Sequence, residues 1–428
     1  MGRVNRSRRW AFLQLLMKRL SILFLLFPIV TSAAAESLSF DAAARLAAAN
    51  NPDLHNAEAQ VRAAEFRARG AGSGFRPQIS GSLGYSDSSG STSDDAGRHS
   101  AGVTATQNLF AGFADEARVE QSTAQLASAQ AALATAKARL SRDLKAAYAG
   151  LLYAQENIVL TESILRRLEE NFRLVELRFE GGRENKGSYL LTRAAVAQAR
   201  LERLQAQQAL AAARAELARV LGEPVAQWQA AGSVSVSVPE PGPDFAALAR
   251  ATPDVRGALA GQAVAEAGIR LARSGYYPSV NVSGTVGRDG DQWFPGDSRN
   301  SVLATVSIPI YSGGSDYYGV REAAASLDAA KASRESVEQQ LLVRLRQNHA
   351  AFVEAVERVN VDRAFLEAAE TRASIARARY QNGLISFEDW DRIESELIQR
   401  QKAWLATQRD RVNSEAAWEQ VQGKGVIP

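Results

Sequence analysis

The chain has 428 residues, with 50 Lys+Arg against 47 Asp+Glu, three histidines and no cysteine. Without cysteine it has no disulfide, no thiolate chemistry and no site for a thioether-linked lipid. The basic excess lies wholly in residues 1–35, which carry Arg3, Arg6, Arg8, Arg9, Lys18 and Arg19 and no acid. The remainder has 44 basic against 47 acidic residues, a net charge of −3, which removes the case for a nucleic-acid partner.

Residues 1–35 read as a signal peptide. Lys18 and Arg19 precede LSILFLLFPIV, eleven apolar-rich residues ending at Val30, and Ala33 and Ala35 place cleavage before Glu36. Eleven residues interrupted by Pro28 are too few to span a bilayer as a helix. SRRWAFL resembles a twin-arginine signal, but Phe12 falls one place late, so the general secretory route is favoured, with Met17 as an alternative start. An exported chain without a later apolar run of membrane length can enter a membrane only as strands.

From here the chain repeats itself. NPDL (51–54) matches TPDV (252–255), GFRP (74–77) matches GYYP (275–278), LFAG (109–112) matches IYSG (310–313), and RFEGG (178–182) matches RYQNG (379–383). Every pair is 201 residues apart, which marks a duplication. The first repeat is assigned to 36–221 and the second to 245–428, with the Pro- and Gly-rich stretch 222–244 as connector.

Each repeat opens with an alanine-rich helix, roughly 55–72 and 254–274, stopped by its Gly-aromatic-x-Pro landmark. Two alternating stretches follow, at about 77–86 and 101–110, then 278–287 and 301–310. Ile79, Leu83 and Tyr85 alternate with Ser80, Ser82 and Ser86, and Val302, Ala304, Val306, Ile308 and Ile310 fall on one face of the last strand. Then come proline-free runs of about 114–180 and 315–380, each on the order of 100 Å as a helix. Leu144, Leu151, Ile158, Leu165, Phe172 and Phe179 keep a heptad, and so do Leu345, Phe352, Val359, Leu366, Ala373 and Tyr380, as in a coiled coil. Ala117, Ala124, Ala131 and Ala138 share a register that lets another backbone approach closely.

The long helices reverse at 181–187 and 381–387. The first turn carries Gly182, Arg183, Glu184 and Lys186; the second carries Gly383, Leu384 and Ser386, followed by Glu388, Asp389, Asp391 and Arg392. Glycines at positive φ in solvated turns account for both. Glu388 and Asp389 can each pair with Arg392 along a helix surface. His55, His99 and His349 are scattered, and no phosphate-binding loop occurs, so no catalytic, cofactor or metal residues are expected.

Four strands of about nine residues suit an outer membrane, yet a barrel needs about eight or more. Several chains would have to pool them: three would give twelve strands and a lumen. A soluble periplasmic coiled-coil protein is the alternative, and a periplasmic hydrolase using Glu388, Asp389 and Asp391 a distant third.

The paired landmarks, and the R-aromatic-x-x-G tips with their returning helices, resemble the TolC family of outer-membrane efflux proteins over nearly the whole mature chain. The resemblance implies a mainly α fold with a β-barrel portion, built as a homotrimer with a twelve-stranded barrel in outer membrane lipid and a periplasmic α-helical tunnel. It implies a passive duct that docks a periplasmic adaptor protein and an inner-membrane transporter, in efflux or type I secretion. It places Tyr380 at the tyrosine that helps close the tunnel's periplasmic end and Asp389 at a constriction. The family's tip arginine is here Ile385 and its second aspartate Arg392, so Asp391 or Arg392 is expected to supply part of the closing network. Gly182, Arg183, Glu184, Lys186, Gly383, Leu384 and Ser386 are the expected docking tips.

Overall fold

The computed structural model describes residues 37–87, 97–224 and 227–427. The expected signal peptide and its cleavage point lie outside the described residues, as do residues 88–96 between the two alternating stretches of the first repeat.

The first repeat comprises β1 (Ser37–Leu38), α1 (Phe40–Asn50), α2 (Pro52–Ala71), β2 (Gln78–Ser86), β3 (Arg98–Ala111), α3 (Ala114–Glu180) and α4 (Lys186–Leu221). The connector carries β4 (Gln229–Ala230), and the second repeat comprises α5 (Phe245–Ala251), α6 (Pro253–Arg273), β5 (Ser279–Gly290), β6 (Asp297–Ser307), α7 (Ser315–Gln381) and α8 (Phe387–Val421). The duplication is visible in the punctuation. α2 and α6 start with proline behind the caps Asn51 and Thr252, whose side chains accept from Leu54 and Val255 amides. α3 and α7 are both 67 residues long, and each starts after a positive-φ glycine, Gly112 or Gly313. α4 runs into a left-handed Gly222, whose counterpart after α8 is Gly423, each at φ +72°.

Two short helices, α1 and α5, are additions to the sequence reading, and the connector supplies β4, which pairs in parallel with β1. Around this waist sits the largest core, with Leu144, Tyr148, Leu151, Leu217 and Leu221 fully buried. The Tyr148 hydroxyl lies 2.8 Å from the Leu38 carbonyl oxygen, fixing β1 against α3. Lys145 is buried between Glu415 (3.3 Å) and Glu419 (2.7 Å) of α8, and Glu415 also accepts from the Ser237 amide and hydroxyl at 2.6 Å. This cluster staples the connector to both long hairpins.

On the strand side of the waist, α3 packs against α2 and α6, and α6 in turn against α7. Ala117, Ala131 and Ala138 are buried there and Ala124 is half-buried, as the small-residue register anticipates. Beyond the waist, α4 returns along α3, and α8 along α7 and α3. Of the heptad positions, Leu144, Leu151, Leu165, Leu345, Phe352, Val359, Ala373 and Tyr380 are buried.

The four long strands form one antiparallel sheet in the order β2-β3-β5-β6, so the two hairpins join through β3 and β5. Register pairs Gly81 with Val103, Val103 with Val286, and Gly284 with Val302, which gathers the apolar side chains on one face. On the opposite face the Thr104 and Thr285 hydroxyls meet at 2.9 Å. The apolar face is bare in the single chain: Leu83 is 88% exposed and Val302 84%. β6 ends at Ser307 instead of reaching 310. Pro309 has no amide to give a ladder, and the partner β5 begins only at Ser279, after Pro278, so Ile308 and Ile310 have nothing to pair with.

Candidate functional site

The two reversals close the end of the molecule farthest from the sheet, and they fold by the same hydrogen bonds. The Arg183 amide donates to the Arg178 carbonyl (2.7 Å) and the Leu384 amide to Arg379 (2.8 Å), around Gly182 at φ +70° and Gly383 at φ +72°. The next helices start behind equivalent caps. The Asn185 side chain accepts from the Ser188 amide at 2.9 Å, and the Ser386 hydroxyl from the Asp389 amide at 3.1 Å.

Beneath the turns lies a small core of Val175, Ala376, Tyr380, Phe387 and Trp390, with Ile385 packed at its edge. The Tyr380 ring stacks on Trp390 at 4.3 Å and 10°, and the Arg178 guanidinium covers it with its carbon 4.4 Å from the ring centroid. An aromatic stack of this kind contributes about 1 kcal/mol beyond area burial. Arg178 also donates to the Tyr380 carbonyl at 2.5 Å, and the Tyr380 hydroxyl donates to Glu184 at 2.7 Å. Burial first, then the hydrogen bond and charge of Glu184, hold the phenol well above its ordinary range, while Arg178 pulls the other way. Tyr380 ends α7 and Glu184 lies in the α3–α4 turn, so one hydrogen bond ties the two tips.

The expected residues therefore separate into four groups. Tyr380 and Glu184 come together inside the protomer. Asp389 pairs with Arg392 at 3.0 Å on the exposed surface of the same helix turn, the ordinary charged helix start that the spacing permits. Asp391 turns from the surface, and burial, then the Glu394 charge, push its carboxyl above the usual range. Gly182, Arg183, Lys186, Gly383, Leu384 and Ser386 are exposed at the turns.

The sequence reading did not single out Glu394 or its partners. Glu394 is 3% exposed and bridges helices, with Arg167 of α3 at 3.3 Å and Arg377 of α7 at 2.9 Å. About two turns further along, Lys402 of α8 reaches Glu202 of α4 at 2.7 Å. The only local signal was spacing, because Glu394 follows the core residue Trp390 by four and shares its face.

Paired helical hairpins that end in a four-stranded sheet with a bare apolar face suit a chain that enters a membrane through its strands. The chain belongs to the outer membrane efflux protein family, whose model matches residues 43–223 and 246–424. Outer membrane efflux protein BepC of Brucella suis biovar 1 is 24% identical over 314 residues, 71% of this chain and 67% of that one. Pyoverdine export outer membrane protein OpmQ of Pseudomonas aeruginosa is 27% identical over 252 residues, 55% of this chain, which spans about half (53%) of that relative. Among solved structures, CusC, described in terms of transmembrane channel formation, superposes with a TM-score of 0.82 at 20% identity, covering 90% of this chain and 92% of CusC. The protein is an outer-membrane efflux protein.

Proposed function

We propose that three copies close their sheets into one twelve-stranded barrel and continue it through the periplasm as a helical tunnel. The observation that carries this is the sheet itself. β2 and β6 are unpaired edges, and the face carrying Leu83 and Val302 is exposed in one protomer. An open edge cannot lie in lipid, and an apolar face cannot be left in water. Pooling strands from three chains answers both, whereas a soluble periplasmic coiled-coil protein answers neither.

The duct is passive and carries cargo delivered by a periplasmic adaptor and an inner-membrane transporter, in a tripartite efflux pump or type I secretion system. The exposed turns at Gly182, Arg183, Lys186, Gly383, Leu384 and Ser386 form the docking end. Tyr380, with Glu184, holds that end narrow; Asp389 and Arg392, on the exposed surface beside it, are where three copies would converge and set the local field for ions. A relative concerned with pyoverdine export supports small-molecule efflux over protein secretion. The test is membrane fractionation followed by planar-bilayer recording. The expected result is a detergent-stable trimer in the outer membrane that conducts; a product extracted without detergent that forms no pores would overturn the proposal.

A further inference from the structure

Between α3, α4 and α8, inside one protomer, lies a cavity of about 170 Å³. Its wall carries three carboxylates, Glu202, Asp391 and Glu394, against one ammonium, Lys402. Lys402 is already paired with Glu202 at 2.7 Å. The two guanidiniums that hold Glu394, Arg167 and Arg377, approach from outside the wall. Asp391 is half-buried and, among the described residues, has no ion pair or hydrogen bond. Trp390, 2% exposed, also lines the cavity, and its indole Nε1–H has no hydrogen-bond partner. Ile164, Leu168 and Ile398 supply apolar wall.

A carboxylate without a counter-ion in a partly desolvated site favours a cation. A buried indole N–H calls for an acceptor. We propose that this cavity binds a small organic cation, an ammonium on a short apolar body that also carries a hydroxyl or carbonyl acceptor. Asp391 holds the ammonium, Trp390 donates to the acceptor, and the aliphatic wall packs the body. A bare metal ion does not fit the arrangement, because no three candidate ligands converge among the described residues.

The titratable groups facing Asp391 are Glu394 and Lys402 on its own helix and Glu202 on α4; α3 presents Ile164, Leu168 and Asn171. Burial and Glu394 raise the Asp391 carboxyl, and a bound ammonium lowers it, so binding releases protons and weakens as pH falls through the Asp391 transition. Because the cavity lies next to the Trp390–Tyr380 stack, an occupant also bears on the tip core. The site is complete in one protomer and does not depend on the duct.

The experiment is isothermal titration calorimetry of the detergent-purified full chain with 2-aminoethanol, n-propylamine and 1-propanol at neutral pH. The amino alcohol should bind, the plain amine bind more weakly, and the neutral alcohol not bind. Asp391→Asn should weaken the amino alcohol at least tenfold, Asp391→Glu should retain it, and Asp328→Asn, at an exposed acid on α7, should leave it unchanged. Trp390→Phe keeps a ring for the stack and should erase the preference for the hydroxyl. Equal binding by Asp391→Asn and the parent, or equal binding of 1-propanol, would overturn the proposal. Bilayer conductance of the same preparations separates the two readings: lost binding with intact pores removes the site and leaves the duct.

Discussion

Replacing Tyr380 with Phe removes one atom from the tip and little else. The ring still stacks on Trp390 at the 4.3 Å spacing, Arg178 still covers it, and the Arg178 bond to the backbone carbonyl is untouched. What disappears is the 2.7 Å hydrogen bond to Glu184. Glu184 is not orphaned, because it still accepts from the Asn185 amide at 3.2 Å and side chain at 3.4 Å, and it is partly open to water. Hydrogen bonds to charged groups contribute about 1.5–3 kcal/mol, and this exposure places the loss near the lower end, about 1.5 kcal/mol. Under the gate proposed above, that corresponds to roughly a tenfold shift of the closed–open equilibrium per protomer. The assay is open probability in planar bilayers for Tyr380→Phe, Glu184→Ala and the pair, read as a double-mutant cycle. A coupling of about 1.5 kcal/mol is expected; single effects that add to within about 0.3 kcal/mol would refute the tie between the tips.

Other perturbations test the scaffold. Gly182→Ala meets no atom within 4 Å, so only its φ of +70° costs, about 1 kcal/mol, whereas Gly222→Ala would drive a methyl into the Asn50 carbonyl and should cost several-fold more in thermal unfolding. Lys145→Met leaves Glu415 buried without its cation and should cost about 3–5 kcal/mol, seen as a lower circular-dichroism melting temperature. Leu83→Arg on the bare sheet face should cost about 2–4 kcal/mol at mid-bilayer and lower the yield of outer-membrane trimer, while Ser82→Arg, on the other face, should not do so through lipid contact.

Local punctuation made most of this architecture legible. A 201-residue offset, glycines at 182 and 383, and heptads ending at Phe179 and Tyr380 suffice for two hairpins of equal length. The alternation around Leu83 and Val302 suffices for strands with one apolar face. Alternation does not say where pairing stops, and Ile308 and Ile310 keep the pattern past the last available partner. Nor does it say that β3 joins β5, a contact between repeats. The tip chemistry was harder because it is not local. Asp389, Asp391 and Glu394 all look like acids on a charged helix, yet the first meets solvent, the second a cavity and the third two arginines from separate helices. Nothing in a single helix's pattern assigns those three fates.

The matched 67-residue lengths of α3 and α7 restrict how this machine can be resized. Deleting one residue from α3 alone would lower its turn by about 1.5 Å and swing it by about 100°, carrying Glu184 away from Tyr380. The molecule can change its reach only in synchronised steps, a whole heptad of about 10.5 Å in all four hairpin legs together. The duplication thus works as a gauge block: each half sets the length tolerance of the other.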